Sequence, residues 1–141
     1  MFTKATVTVW PAELTRAEAI TDLFHLLHSA FPRDVREEML EPILEREAKL
    51  TMFLNEGFAI PHASVTGLRQ VHWALGIPKQ GIRDAGEARI EVVVLALYTE
   101  KLSGQYLLGL ARIAPFLRDN VKVSALRAAN SPDELLEHLQ L

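Results

Sequence analysis

Apolar residues return along this chain in two different rhythms, and the switches between them mark the elements. Thr6-Val7-Thr8-Val9-Trp10 alternates β-formers and predicts a short edge strand closed by Pro11. Ala19, Ile20, Leu23, Leu26 and Leu27 then recur at helical spacing behind Thr15 and Glu18, a capping-box pair, so a first helix is expected to run to about Phe31-Pro32. Asp34, followed by Glu37 and Glu38, marks a second helix start with Val35, Met39, Leu40, Ile43 and Leu44 as its buried stripe. Pro42 falls inside that stripe; a proline in a helix interior costs about 3 kcal/mol, so a kink or a fresh start is expected there.

The middle of the chain changes to short, continuous apolar runs. Met52-Phe53-Leu54 is apolar, Asn55-Glu56-Gly57 reads as a turn, and Phe58-Ala59-Ile60 leads into Pro61-His62. Val71 to Ile77 predicts a strand ended by Pro78, and the span 81–86 reads as loop. Ile90 to Tyr98 is almost wholly apolar and β-rich, as expected of a central strand covered on both faces. Ser103 is a candidate cap for a helix through Leu107, Leu110 and Ile113, stopping around Pro115 to Leu117. Val121 to Ala128 predicts a short helix. Ser131-Pro132-Asp133-Glu134 joins an N-cap, a proline at the first helical position and a capping-box glutamate, and so opens a last helix to Leu139. Strands interleaved with helices give an α/β expectation: a mixed β-sheet flanked by helices, in one domain over 1–141.

Composition narrows the function classes. A net charge of -3 supplies no basic field for nucleic acid or anionic lipid. Cysteine is absent, which removes disulfides and thiolate metal sites. No apolar stretch approaches the roughly 20 residues of a membrane span, and the first residues lack a signal-peptide layout, so a cytoplasmic location is expected. Glycine-rich phosphate loops, HExxH and GxSxG are missing from the chain.

The candidate chemistry is therefore histidine chemistry. His25 and His28 lie three apart on the first helix, but nothing nearby completes the three ligands that a zinc site wants, so they read as surface residues. His72, beside Trp73 in a strand, reads as a packed or edge histidine, and His138 as a residue near a helix C-terminus. His62 differs, because an apolar run and a proline deliver it to a turn at the sheet's rim. A neutral imidazole is nucleophilic near neutral pH, and a hydrogen bond to one ring nitrogen would fix its tautomer and leave the other nitrogen free to attack.

The run Arg46-Glu47-Ala48-Lys49-Leu50-Thr51-Met52-Phe53-Leu54-Asn55-Glu56-Gly57-Phe58-Ala59-Ile60-Pro61-His62-Ala63 resembles the phosphorylation motif of enzyme IIA domains of the mannitol/fructose type, including the nitrogen-regulatory branch. That pattern has an arginine and a glutamate ending a helix, a short loop, and then Gly-Ile-Ala-Ile/Val/Leu-Pro-His. The likeness extends to the Ile90–Tyr98 strand, the helix after Ser103 and the Ser131-Pro132-Asp133-Glu134 ending. It implies an α/β sandwich and a phosphotransferase component of the phosphoenolpyruvate-dependent sugar phosphotransferase system. His62 would accept a phosphoryl group from the histidine-containing phosphocarrier protein and pass it to a IIB domain. Arg46 would stabilise the phosphoryl oxygens. No metal or organic cofactor is implied. The chain departs from the pattern at Tyr106, which stands where the family usually places a second histidine, and at Asn55, where many relatives have glycine. A tyrosine donates a hydrogen bond but carries no imidazolium charge. Two other roles stay open: a regulatory phosphoprotein whose target proteins read the state of His62, and an interaction module that has lost transfer.

Overall fold

The computed structural model describes residues 1–31, 38–53 and 57–140. After a 3-10 turn at Lys4–Thr6 come β1 (Val7–Trp10), α1 (Arg16–His28), α2 (Leu40–Lys49), β2 (Gly57–Ala59), β3 (His62–Ser64), β4 (His72–Pro78) and β5 (Ile90–Tyr98). A second 3-10 turn, Glu100–Leu102, runs directly into α3 (Ser103–Leu117), and α4 (Asn120–Ala128) and α5 (Pro132–His138) follow.

The sheet is mixed, with order β1-β4-β5-β2, and β3 lies on the same side of β5 as β2. β4 and β5 pair antiparallel, and the remaining pairs are parallel. β2 takes the first half of β5, from Ile90 to Val93, and β3 takes the second, from Ala96 to Tyr98. They are in effect one strand broken at Ile60-Pro61.

The continuous apolar run of β5 is explained by two cores, one on each face. Val93, Leu95 and Leu97 face α1 and α2, while Val92, Val94 and Ala96 face α3 to α5. All six are fully buried. The sandwich of helices about a mixed sheet is the expected architecture.

Several local expectations change. α1 stops at His28, three residues early, although its Thr15/Glu18 capping box forms as expected. The proposed helix start at Asp34, with Val35, lies outside the described residues, as does the turn at Asn55 and Glu56. Pro42 produces no break, because it is the third residue of α2, in the first turn, where backbone N–H groups have no intrahelical partner. Ser103 is not an N-cap: Leu102 holds that place, the preceding 3-10 turn supplies the entry, and Ser103 is already helical. α3 does end at Leu117, within the expected bounds, with Pro115 absorbed in its last turn. Ser131 caps α5 through Glu134 N–H at 3.2 Å, but the Glu134 carboxylate reaches back to Asn130 N–H, one residue beyond the cap.

Candidate functional site

The break between β2 and β3 creates the site. Pro61 is buried and carries no N–H, while its carbonyl accepts from Ala96 N–H at 3.0 Å and keeps the chain on β5. His62 follows as the first residue of β3, in register with Ala96, rather than in a turn as its sequence suggested. The Ile60 carbonyl faces the imidazole, with His62 Nδ1 at 3.0 Å. A carbonyl only accepts, so Nδ1 carries the hydrogen and the lone pair of the neutral ring resides on Nε2. The ring itself is half-buried.

Two different walls flank it. On one side a narrow cleft is lined by Arg46, Glu47, Leu50, Met52, Pro61 and His62. Arg46, in the last turn of α2, is exposed, so its guanidinium can move toward a group on the ring. Glu47 is buried, 6% exposed, and fully engaged. Its two oxygens accept from Met52 N–H at 3.1 and 3.0 Å, Thr51 Oγ1 donates to it, and Arg16 Nη1 lies at 3.5 Å. Arg16 continues to Asp84 through its side chain, Nε to Oδ2 at 3.4 Å, and through its backbone N–H at 2.7 Å. A chain of charges thus ties the 79–89 connection, the start of α1 and the turn after α2 to one another. Met52, held by Glu47, lines both walls of the site.

On the other side a cavity of about 550 Å³ is lined by Met52, Phe58, Ile60, His62, Tyr106 and Leu110, with Arg118 at its edge. Tyr106 is the ring against which His62 lies, with centroids 5.4 Å apart and planes 27° apart. Tyr98 and Trp73 stack on the same phenol at 4.6 and 5.7 Å, within 9° and 17° of parallel. Burial, and then the neighbouring Tyr98, push the Tyr106 hydroxyl above its ordinary pKa, so it stays un-ionised near neutral pH.

His62, Arg46 and Tyr106 are therefore brought together around one ring. His72 is buried edge-on against Phe31 at 4.9 Å, and burial lowers its pKa, as befits a packed neutral histidine. His25 and His28 stand 6.4 Å apart, each 6.0 Å from the Phe24 ring. Beside Glu45 and Arg46, Glu47 reads from sequence as part of the helix's polar side, yet it is buried because the turn after α2 folds over it; a glutamate following an arginine at the end of an amphipathic helix was the available signal. The Ile60 carbonyl was not legible, since every residue has one. Among the described residues, no helix is long and apolar enough to cross a membrane.

Comparison with known proteins identifies the family. In sequence the chain is 27% identical over 129 residues to the Escherichia coli (strain K12) PTS system 2-O-alpha-mannosyl-D-glycerate-specific EIIABC component, covering 89% of this chain and 20% of that protein. The chain thus spans about a fifth of that relative's length. In fold it is similar to the nitrogen regulatory protein IIA-Ntr from Neisseria meningitidis, with a TM-score of 0.79 at 17% identity over 98% of this chain and 95% of the other. The mannitol IIA of Escherichia coli gives 0.77 at 20% identity over 99% of both chains. The family model for the phosphoenolpyruvate-dependent sugar phosphotransferase system, EIIA 2, matches residues 1–141, and the chain belongs to that family, the mannitol/fructose-type IIA domains.

Proposed function

We propose that His62 is the phosphoryl acceptor and donor of this IIA domain, and that Nε2 is the atom that carries the group. The observation that supports this most directly is the Nδ1 contact with the Ile60 carbonyl, which leaves the Nε2 lone pair as the nucleophile. The donor is a phosphohistidine of the histidine-containing phosphocarrier protein. As Nε2 bonds to phosphorus, the donor's P–N bond breaks and that imidazole leaves neutral. Positive charge passes to the His62 ring, where the Ile60 carbonyl stays bonded to Nδ1–H and steadies it. Such a transfer asks the protein mainly to align donor, phosphorus and acceptor and to balance charge. Arg46 meets the phosphoryl oxygens from the cleft side, and Tyr106 holds the ring from the other. The acceptor that discharges His62 is a IIB domain, in keeping with the EIIABC arrangement of the Escherichia coli relative.

The second reading is regulatory: the state of His62 is read by a target protein, since a phosphoryl group adds about two negative charges to a largely apolar rim. Tyr106, uncharged where a second histidine would carry charge, favours it. Incubation of the purified chain with phosphoenolpyruvate, enzyme I and the phosphocarrier protein tests the proposal. An acid-labile, base-stable mass increase is expected on the wild type and not on His62→Ala. An unlabelled wild type, or a labelled variant, overturns it. Candidate IIB domains then divide the readings, because discharge to one of them supports transfer and its failure with all of them supports regulation.

A further inference from the structure

His62 meets its aromatic neighbour in a different way from the other histidines in contact with rings. His25 and His28 meet Phe24 at 64° and 57°, and His72 meets Phe31 at 84°, all tilted or edge-on contacts. His62 is stacked on Tyr106 instead, 27° from parallel with centroids 5.4 Å apart. The imidazole therefore stands within the roughly 6 Å over which an aromatic face attracts a cation.

That face is held in place. Tyr106 is buried and stacks also against Tyr98 and Trp73. Trp73 in turn is pressed against α3 one turn further on, where a Cβ on Gly109 would stand 2.3 Å from the indole. Burial keeps the phenol un-ionised, so what it offers His62 is the negative face of a neutral ring. A surface fixed in this way needs no rearrangement when charge develops beside it.

The unphosphorylated imidazole is neutral, with its hydrogen on Nδ1. Once Nε2 bonds to phosphorus that hydrogen stays, and the ring becomes a cation. Among the described residues lining the cleft and the cavity, Glu47 is the one carboxylate, and its oxygens are committed to Met52, Thr51 and Arg16. The other charged groups there, Arg46 and Arg118, are cations. Apart from the phosphoryl group itself, the new charge is met by the Ile60 carbonyl at the ring's edge and by Tyr106.

Resting on His62 as the phosphoryl acceptor, we propose that Tyr106 sets how fully this domain stays phosphorylated, because its π face stabilises the phosphorylated imidazolium over the neutral ring. In the exchange the donor's P–N bond breaks, the bond from Nε2 to phosphorus forms, and the His62 ring gains the charge that the donor ring loses. Tyr106 favours the His62 side of that balance.

Exchange with the histidine-containing phosphocarrier protein is brought to equilibrium, and phosphorus NMR reads the two phosphohistidines. The full chain is compared with Tyr106→Phe and with a chain carrying a ring-trifluorinated phenylalanine at the same position. Fluorine keeps the plane of the ring and nearly its area but draws charge from its face, and unfolding curves verify that both variants are folded. The equilibrium constant toward His62 should fall by about threefold to tenfold from the phenylalanine to the trifluorinated ring. Equal constants for these two rings, with His62 still labelled, would overturn this proposal alone, even where both fall below the tyrosine, since the hydroxyl would then carry the effect. A wild type with no phosphoryl group on His62 would overturn the acceptor assignment and this proposal together.

Discussion

The two walls around His62 are built from different physics. On the α2 side the site is held by charge: Glu47 accepts from Met52, Thr51 and Arg16, and Arg16 passes the connection on to Asp84. On the α3 side it is held by rings, with Tyr106 at the centre and His62, Tyr98 and Trp73 stacked about it. A hydrogen-bonded carboxylate has few acceptable substitutes, because any loss strands buried donors. A stack of aromatic faces tolerates changes that keep its planes and area. The difference divides the labour: the charged wall fixes where the loop and Arg46 stand, and the aromatic wall fixes the plane of the imidazole.

Substitutions can break either wall separately. Glu47→Ala should have the largest effect, about 3 kcal/mol or more in denaturant unfolding, since it leaves Met52 N–H and Arg16 without their buried acceptor. Glu47→Gln, which keeps one acceptor oxygen, should lose clearly less; equal losses would mean that the carboxylate network does not hold this wall. Tyr106→Ala follows, at about 3 kcal/mol for removing a ring that is 6% exposed, whereas Tyr106→Phe should stay within about 1 kcal/mol because the stack survives. A Phe variant as unstable as the Ala variant would shift the weight from the ring to the hydroxyl.

Arg46→Ala is the contrasting case on the charged wall. The residue is exposed, so stability should change by no more than about 0.5 kcal/mol, while phosphorylation of His62 by the phosphocarrier protein slows by about tenfold to a hundredfold. Unchanged rates would remove Arg46 from the site. The smallest effect concerns His72, which belongs to neither wall. Burial lowers its folded-state pKa below 6.5, so the unfolded chain binds more protons there, and stability should fall as the pH drops below about 6.5. Thermal unfolding of His72→Gln across pH 5 to 8 should show a shallower acid loss than the wild type; parallel curves would contradict this.

The fold was more legible than the site. Continuous apolar runs placed β4 and β5 and period-3.6 patterns the helices, because burial on two faces imprints itself on every residue of a long strand. The short pieces were harder. β3 is three residues long and is defined by pairing to Ala96, Leu97 and Tyr98, partners more than thirty positions away that local pattern cannot reveal. Pro42 read as a fault because its place in the helix depended on where the helix began. Within the site, residue context singled out His62 and the family resemblance added Arg46 and Tyr106, but the tautomer of His62 rests on a backbone carbonyl that no residue identity encodes.

That carbonyl gives the sharpest test of the account. Nitrogen and phosphorus NMR on the chain phosphorylated in vitro reports which ring nitrogen of His62 bears the phosphoryl group. The hydrogen bond from Nδ1 to Ile60 predicts phosphorus on Nε2, with Nδ1 still carrying its proton. Phosphorus on Nδ1, or on another residue altogether, would contradict the account.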